Sequence, residues 1–131
     1  MAEPLPVYAL SVRQPYAMAI VNGWKTVENR SWRPARPLRL LIHADVTFDR
    51  HGAAFIASLG IELPQASVRG AIIGTVPAAA FTTDSLSRWA VPGMWHWQLT
   101  EPVPATCPLP CRGHRRLFTP PSRWRDHFPQ L

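Results

Sequence analysis

The sequence predicts a small α+β domain, a mostly antiparallel β-barrel with helices at its rim. Three observations carry that prediction. The chain has 131 residues, 47% of them hydrophobic, which is enough for one domain with a real core. Segments with strand character outnumber helical ones, five or six to two. They also lack the regular strand–helix alternation of a parallel, doubly wound sheet.

The elements follow in order along the chain. VYALSV (7–12) is rich in β-formers and reads as a first strand. Pro15 suits the first turn of a helix, PYAMAIVNG, which Gly23 can end. Ala17, Ile20 and Val21 give that helix one buried stripe. From Lys25 the pattern alternates, so KTVENRSW reads as a strand. Lys25, Val27, Asn29 and Ser31 then share one face, and Thr26, Glu28, Arg30 and Trp32 the other. RPARP is a turn. LRLLIHA (38–44) is an almost unbroken apolar run, as a central strand requires. DRHGAAFIASLG reads as a helix closed by Gly60, and IELPQASVRG as a loop. GAIIGTV (70–76) is a second central strand whose glycines mark a bulge or a close backbone approach. SLSRWA forms a short helix or turn. MWHWQLTEPV (94–103) reads as one long strand, with Trp95 and Trp97 on one side. A basic, proline-rich segment (116–131) follows a domain core spanning about residues 8–115, and SRWRDHF within it has the makings of a short helix. No internal repeat or linker divides the chain, so a single domain over residues 1–131 is expected.

Net charge is +6, a basic excess that favours polyanionic partners. Thirteen of the fourteen basic residues are arginine, and Lys25 is the only lysine. Arg30, Arg33, Arg36 and Arg39 form one cluster without an acid inside it. Arg112, Arg115, Arg116, Arg123 and Arg125 form a second. Two solvated faces are the alternative reading of these clusters, and the polyanion-binding one is favoured. No apolar run approaches the roughly 20 residues that span a bilayer. MAEPLPVYALSV has no basic region ahead of its apolar stretch, so no secretory leader and no membrane partner are expected. A cytoplasmic protein is the expectation, and two cysteines four residues apart fit a reducing compartment.

LSVRQPYAMAIVNGWKTVENRSW (10–32) followed by LLIHA (40–44) resembles the opening of an ASCH domain, a branch of the PUA-like superfamily. GAIIGTV, WHWQL and PLPCRG (108–113) resemble that family's middle and end. The most specific element is G-x-K-x-x-E-x-R, here Gly23, Lys25, Glu28 and Arg30, placed after RQP. The resemblance implies a PUA-like pseudo-barrel with a cleft beside it. It also implies a role in RNA binding, RNA modification or transcription-related regulation.

An anion-binding cleft needs guanidinium or ammonium groups for phosphates and aromatic or guanidinium planes for bases. Arg13, Gln14 and Tyr16 stand at a strand-to-helix junction suited to anion capture; capping by Gln14 and core packing by Tyr16 are the alternative. Lys25, Glu28 and Arg30 read either as a ligand-orienting constellation or as a structural ion cluster. His43, at the end of a buried strand, is a satisfied structural residue or a ligand contact. Trp32, Trp95 and Trp97 are core, cleft wall or base-stacking surfaces, and Arg112 joins the phosphate-binding set.

Three functions follow. The first is binding of RNA or other single-stranded nucleic acid, or a nucleotide-like small ligand, in a basic cleft. The second is a hydrolase acting on acylated cytidine or RNA, with Lys25 and Glu28 catalytic. Small amidohydrolases of this superfamily use a lysine and a threonine three positions later. Here that position is Glu28, and Thr26 should point to the opposite face from its neighbour Lys25. The third is a non-catalytic domain with a protein partner. Cys107, Cys111 and His114 have three potential zinc ligands, but two prolines fill the spacer and the spacing is not that of a zinc knuckle. No metal and no other cofactor are expected.

Overall fold

The computed structural model describes residues 4–131; residues 1–3, the start of the stretch read as lacking a leader, lie outside it. Seven strands and two α-helices follow in the order β1 (Val7–Gln14), α1 (Tyr16–Val21), β2 (Val27–Arg30), β3 (Leu38–Phe48), α2 (Arg50–Ser58), β4 (Ala71–Thr82), β5 (Trp95–Leu99), β6 (Val103–Pro110) and β7 (Leu117–Phe118). A 3₁₀ turn, Trp124–His127, ends the chain. The strands form one sheet in the order β2-β5-β4-β3-β1-β7, with β6 also paired to β4. Among the described strands only β1 and β3 run parallel; every other pairing is antiparallel.

The fold is therefore α+β and mostly antiparallel, as expected, but the barrel is not closed. Among the described residues no backbone pairing joins β2 to β1 or β7. The sheet nevertheless curls far enough for the Arg30 side chain on β2 to reach the backbone of Ser11 on β1, donating from Nη2 to its carbonyl at 2.9 Å. A side chain thus spans the gap where closure would fall, and the candidate site lies there.

The centre of strand β3 carries the apolar run Leu40, Leu41 and Ile42 because both of its faces are covered there. Leu40, Ile42 and Ala44 join Leu10 and Val12 of β1, Val76 of β4 and Trp97 of β5 in one core beneath α1. The intervening Leu41 and Ala9 face the other way, into a second core with Ile72, Leu109, Trp124 and Phe128. The C-terminal segment thus contributes two buried aromatic rings. Gly74 lets α1 approach the sheet: a Cβ there would lie 2.5 Å from Val21. The bulge expected of that segment is also present, since the β3–β4 register shifts at Ile42/His43, opposite Gly74 and Ile72.

Two elements differ from expectation. The long strand over 94–103 is broken: β5 ends at Leu99, and Glu101 turns the chain with φ 47°. β5 and β6 then run one after the other along the same edge of β4, pairing with its two ends. Three prolines sit in β6, which is tolerable because an edge strand leaves one row of backbone groups unpaired. The segment read as the strand KTVENRSW is regular only over Val27–Arg30, so Lys25 precedes it and escapes the two-face alternation.

Candidate functional site

Glycine at position 23, φ 80°, ends α1 and turns the chain back. Lys25 and Trp24 then donate their backbone N–H groups to Ala19. This places the Lys25 side chain alongside the start of β2 instead of on one face of it. Glu28 and Arg30, two apart on the strand, share a face. The result is a three-membered ion cluster. Lys25 Nζ donates to Glu28 Oε1 at 3.0 Å, and Arg30 Nε donates to Glu28 Oε2 at 2.9 Å. Lys25 also donates to the Val27 carbonyl, which takes a second of its three donors. Lys25 is 4% exposed and Glu28 6%.

Burial alone would raise the Glu28 pKa, but the charges and hydrogen bonds of Lys25 and Arg30 outweigh it and hold the carboxyl below the usual range. The group is a fixed carboxylate at neutral pH. It is a weak general base for the same reason.

These three residues floor an open cleft of about 590 Å³. Tyr16 forms one wall. Its ring stands 5.4 Å from Lys25 Nζ, and burial, then the Asp49 and Glu28 carboxylates, push its hydroxyl pKa up, so it stays a donor. Opposite stands the 84–93 segment, which carries Arg88 and Trp89. Asn29 secures it by donating to the Trp89 carbonyl and accepting from Val91 N–H, both at 2.8 Å. Buried His96 secures it again. Its Nδ1 accepts from Ser85 N–H, so the neutral ring carries its hydrogen on Nε2 and donates to the Val91 carbonyl at 2.7 Å. Phe55, on α2, lies against Trp89 with its ring edge-on at 5.7 Å and is 37% exposed.

Helix α2 can sit this close because residue 52 is glycine. A Cβ there would lie 2.5 Å from Tyr16 Cε2 and 2.9 Å from Cζ. In Gly52→Ala, overpacking against a stiff ring costs about 1–3 kcal/mol, more than the roughly 1 kcal/mol that alanine returns in helix propensity. A lower melting temperature and a displaced Tyr16 are expected. A melting temperature above wild type would show that the ring yields freely and is no fixed wall.

The remaining predicted site residues fall in different places. Arg13 is exposed on the cleft rim. Gln14 is not brought to the cleft: it is buried, donating to the Val68 carbonyl and accepting from Met18 N–H, each at 2.9 Å. It fastens the 62–70 loop and opens α1. His43 is also buried. Its Nε2 donates to the Cys111 carbonyl, so in the neutral ring Nδ1 accepts from the Ser11 hydroxyl, both at 2.9 Å. It lies beneath a hollow adjoining the cleft, which Arg112 also lines. Trp97 is wholly buried in the core, and half-buried Trp95 lies under the Arg33 guanidinium. Trp32 lines a third hollow beyond. Thr26 is exposed and does not line the cleft. Cys107 approaches His127 and not His114, which lies against Phe118, so the three sequence-spaced sulfur and nitrogen groups do not converge. Among the described residues no cluster of three His, Cys, Asp or Glu side chains could hold a metal.

Sequence reasoning missed Ser11, Asn29, Asp45, Asp49, Phe55, Arg88 and Trp89. With Asp45, Asp49 and Glu28 facing Lys25, Arg13, Arg30 and Arg88, the cleft is mixed in charge. The strongly basic surface lies in the adjoining hollow, where Asp45 is the lone acid beside Arg13, Arg30, Arg112, Arg115 and Arg116.

The fold and this site define a class: a small α+β domain whose curled sheet, left open, holds a polar cleft over a Lys–Glu–Arg floor. The chain belongs to the ASCH domain family, whose model matches residues 10–90. That match spans both helices, the ion cluster and the Trp89 wall; it stops short of WHWQL and PLPCRG. ASCH domains are PUA-like, a class consistent with RNA binding or with hydrolysis. Comparison with curated proteins gives no match. No described helix is long and apolar enough to cross a membrane.

Proposed function

We propose that this protein binds single-stranded nucleic acid, RNA before DNA, with a base in the cleft and phosphates on the neighbouring arginines. One observation carries the reading: a cleft of mixed donors and acceptors, walled by Tyr16 and Phe55, opens onto an arginine-lined hollow. A base presents both donors and acceptors and an aromatic face, so it suits the first; a phosphate suits the second. The net charge of +6 acts in the same direction.

The hydrolytic alternative through Lys25 and Glu28 has less support. Glu28 is held weakly basic, and Thr26 lies away from the cleft. Acylated cytidines incubated with the protein should be recovered intact.

Titration of labelled single-stranded RNA at two salt concentrations tests the proposal. If about five phosphates are neutralised, affinity should fall about 100-fold between 50 and 200 mM salt. Absence of binding at the lower salt would overturn it.

A further inference from the structure

The cleft is one of three hollows in a row. The arginine-lined hollow, about 840 Å³, shares Ser11, Arg13, Arg30 and Asp45 with it. A third, about 640 Å³, shares Arg116 with the second and is walled by Tyr8, Trp32, Arg33 and Arg36. The acids thin out along this row. Among the described residues Glu28, Asp45 and Asp49 line the cleft, Asp45 alone the middle, and none the far hollow.

Two residues mark the far end as built for a planar group. Trp32 is half-buried and firmly backed: its ring meets Trp97 edge-on at 5.0 Å, and its carbonyl accepts from Trp97 Nε1 at 3.1 Å. Arg116 lays its guanidinium over that ring, 4.1 Å from the centroid. It does so from a backbone with φ 58°, a left-handed conformation that side chains other than glycine rarely adopt. Such a conformation persists only where the surroundings enforce it, and sites that hold a ligand are a common reason. Indole and guanidinium planes are the two surfaces on which unstacked bases lie.

Building on the nucleic-acid reading, the geometry points to an oligonucleotide ligand, with Trp32 and Arg116 as a second base-stacking station at the far end of an arginine track. Each hollow falls in the volume range of a small-ligand site. The strand then passes from the cleft across the middle arginines, its phosphates facing them, and a later base stacks at Trp32. Affinity therefore grows with strand length, and part of that growth belongs to Trp32 and Arg116.

The experiment compares adenosine monophosphate with adenosine RNA oligomers of two to six nucleotides, using anisotropy for the oligomers and NMR of the indole N–H signals for every ligand. In the wild type, affinity rises with length, and the Trp32 indole signal moves with the hexamer and not with the monophosphate. Trp32→Ala weakens the hexamer about tenfold or more and leaves the monophosphate unchanged. Arg116→Gly serves as the second variant, because glycine accepts the positive φ without strain and the fold is kept. It too loses hexamer affinity; because Arg116 also lines the middle hollow, selectivity against the monophosphate is read from Trp32→Ala alone. Length-independent affinity, or a hexamer indifferent to both variants, would overturn the second station while leaving binding in the cleft intact. If neither monophosphate nor hexamer binds, the nucleic-acid reading falls with it.

Discussion

Glu28→Gln is expected to destabilise the protein by about 3–5 kcal/mol, because it leaves Lys25 buried without a counter-charge. The amide keeps the shape but accepts on one side only, with its NH2 turned to Lys25 or Arg30, so the loss reports charge and one acceptor and not volume. Urea unfolding of the two proteins measures it. Replacing the partner as well tells structure from function. In Lys25→Met with Glu28→Leu, no buried ammonium remains, and Arg30 keeps its bond to Ser11 and its partial exposure. Apolar replacement of a buried pair is commonly neutral or stabilising, so most of the lost stability should return. Ligand affinity should not return, since the cleft floor is gone. A Glu28→Gln protein as stable as wild type would show that the cluster is hydrated enough to stand without its carboxylate.

The same cluster sets an acid limit. The Glu28 pKa is lower in the folded protein than its ordinary value of 4.5, so the unfolded chain binds that proton more readily. The contribution is complete above that ordinary value and is lost as pH falls through the folded one. Wild-type stability should therefore decline with acid in a window below pH 4.5, and Glu28→Gln should lack that part of the decline.

How much of this was legible in the sequence depends on the range of the interaction that decides it. Strand β3 announced itself because burial on both faces of its centre imposes an almost unbroken apolar run there. Gly74 did so because only a residue without a side chain fits against Val21. The convergence of Lys25 with Glu28 and Arg30 was half legible. Period-two spacing pairs the last two, but Lys25 joins them only because the regular strand begins at Val27, a boundary set by the turn after Gly23. The opposite wall was not legible at all. Asn29 reads as one polar residue between two charged ones, and its partners at Trp89 and Val91 lie about sixty residues away. Barrel closure failed for a related reason. Alternation tells which residues face inward, but nothing local says whether the last strands meet, and here a guanidinium spans the gap.

The tryptophan pair on β5 shows the same limit at one strand and leads to the other large expected effect. Spacing of two puts Trp95 and Trp97 on one face, and the sequence leaves open whether that face is core or binding surface. The structure gives them different surroundings. Trp97 is fully buried, with Trp32 and Phe81 meeting its ring edge-on at 5.0 and 5.6 Å and its indole nitrogen bonded to the Trp32 carbonyl. Trp95, toward the strand end, is half-buried beneath Arg33. Trp97→Ala should therefore cost about 3–5 kcal/mol, the lost burial plus the cavity that rigid neighbours cannot fill. Any loss of affinity at the cleft, read with adenosine monophosphate, should track the unfolded fraction. Phe55→Ala makes the contrast: its ring is 37% exposed at the cleft, so stability should change by about 1 kcal/mol or less. Its stacking face, however, is removed, and RNA affinity should drop by about 1–3 kcal/mol, or roughly 5- to 150-fold. Thermal unfolding and anisotropy on the same two preparations separate the effects. If Phe55→Ala bound RNA as tightly as wild type while fully folded, the base would have to be seated elsewhere than between Tyr16 and α2.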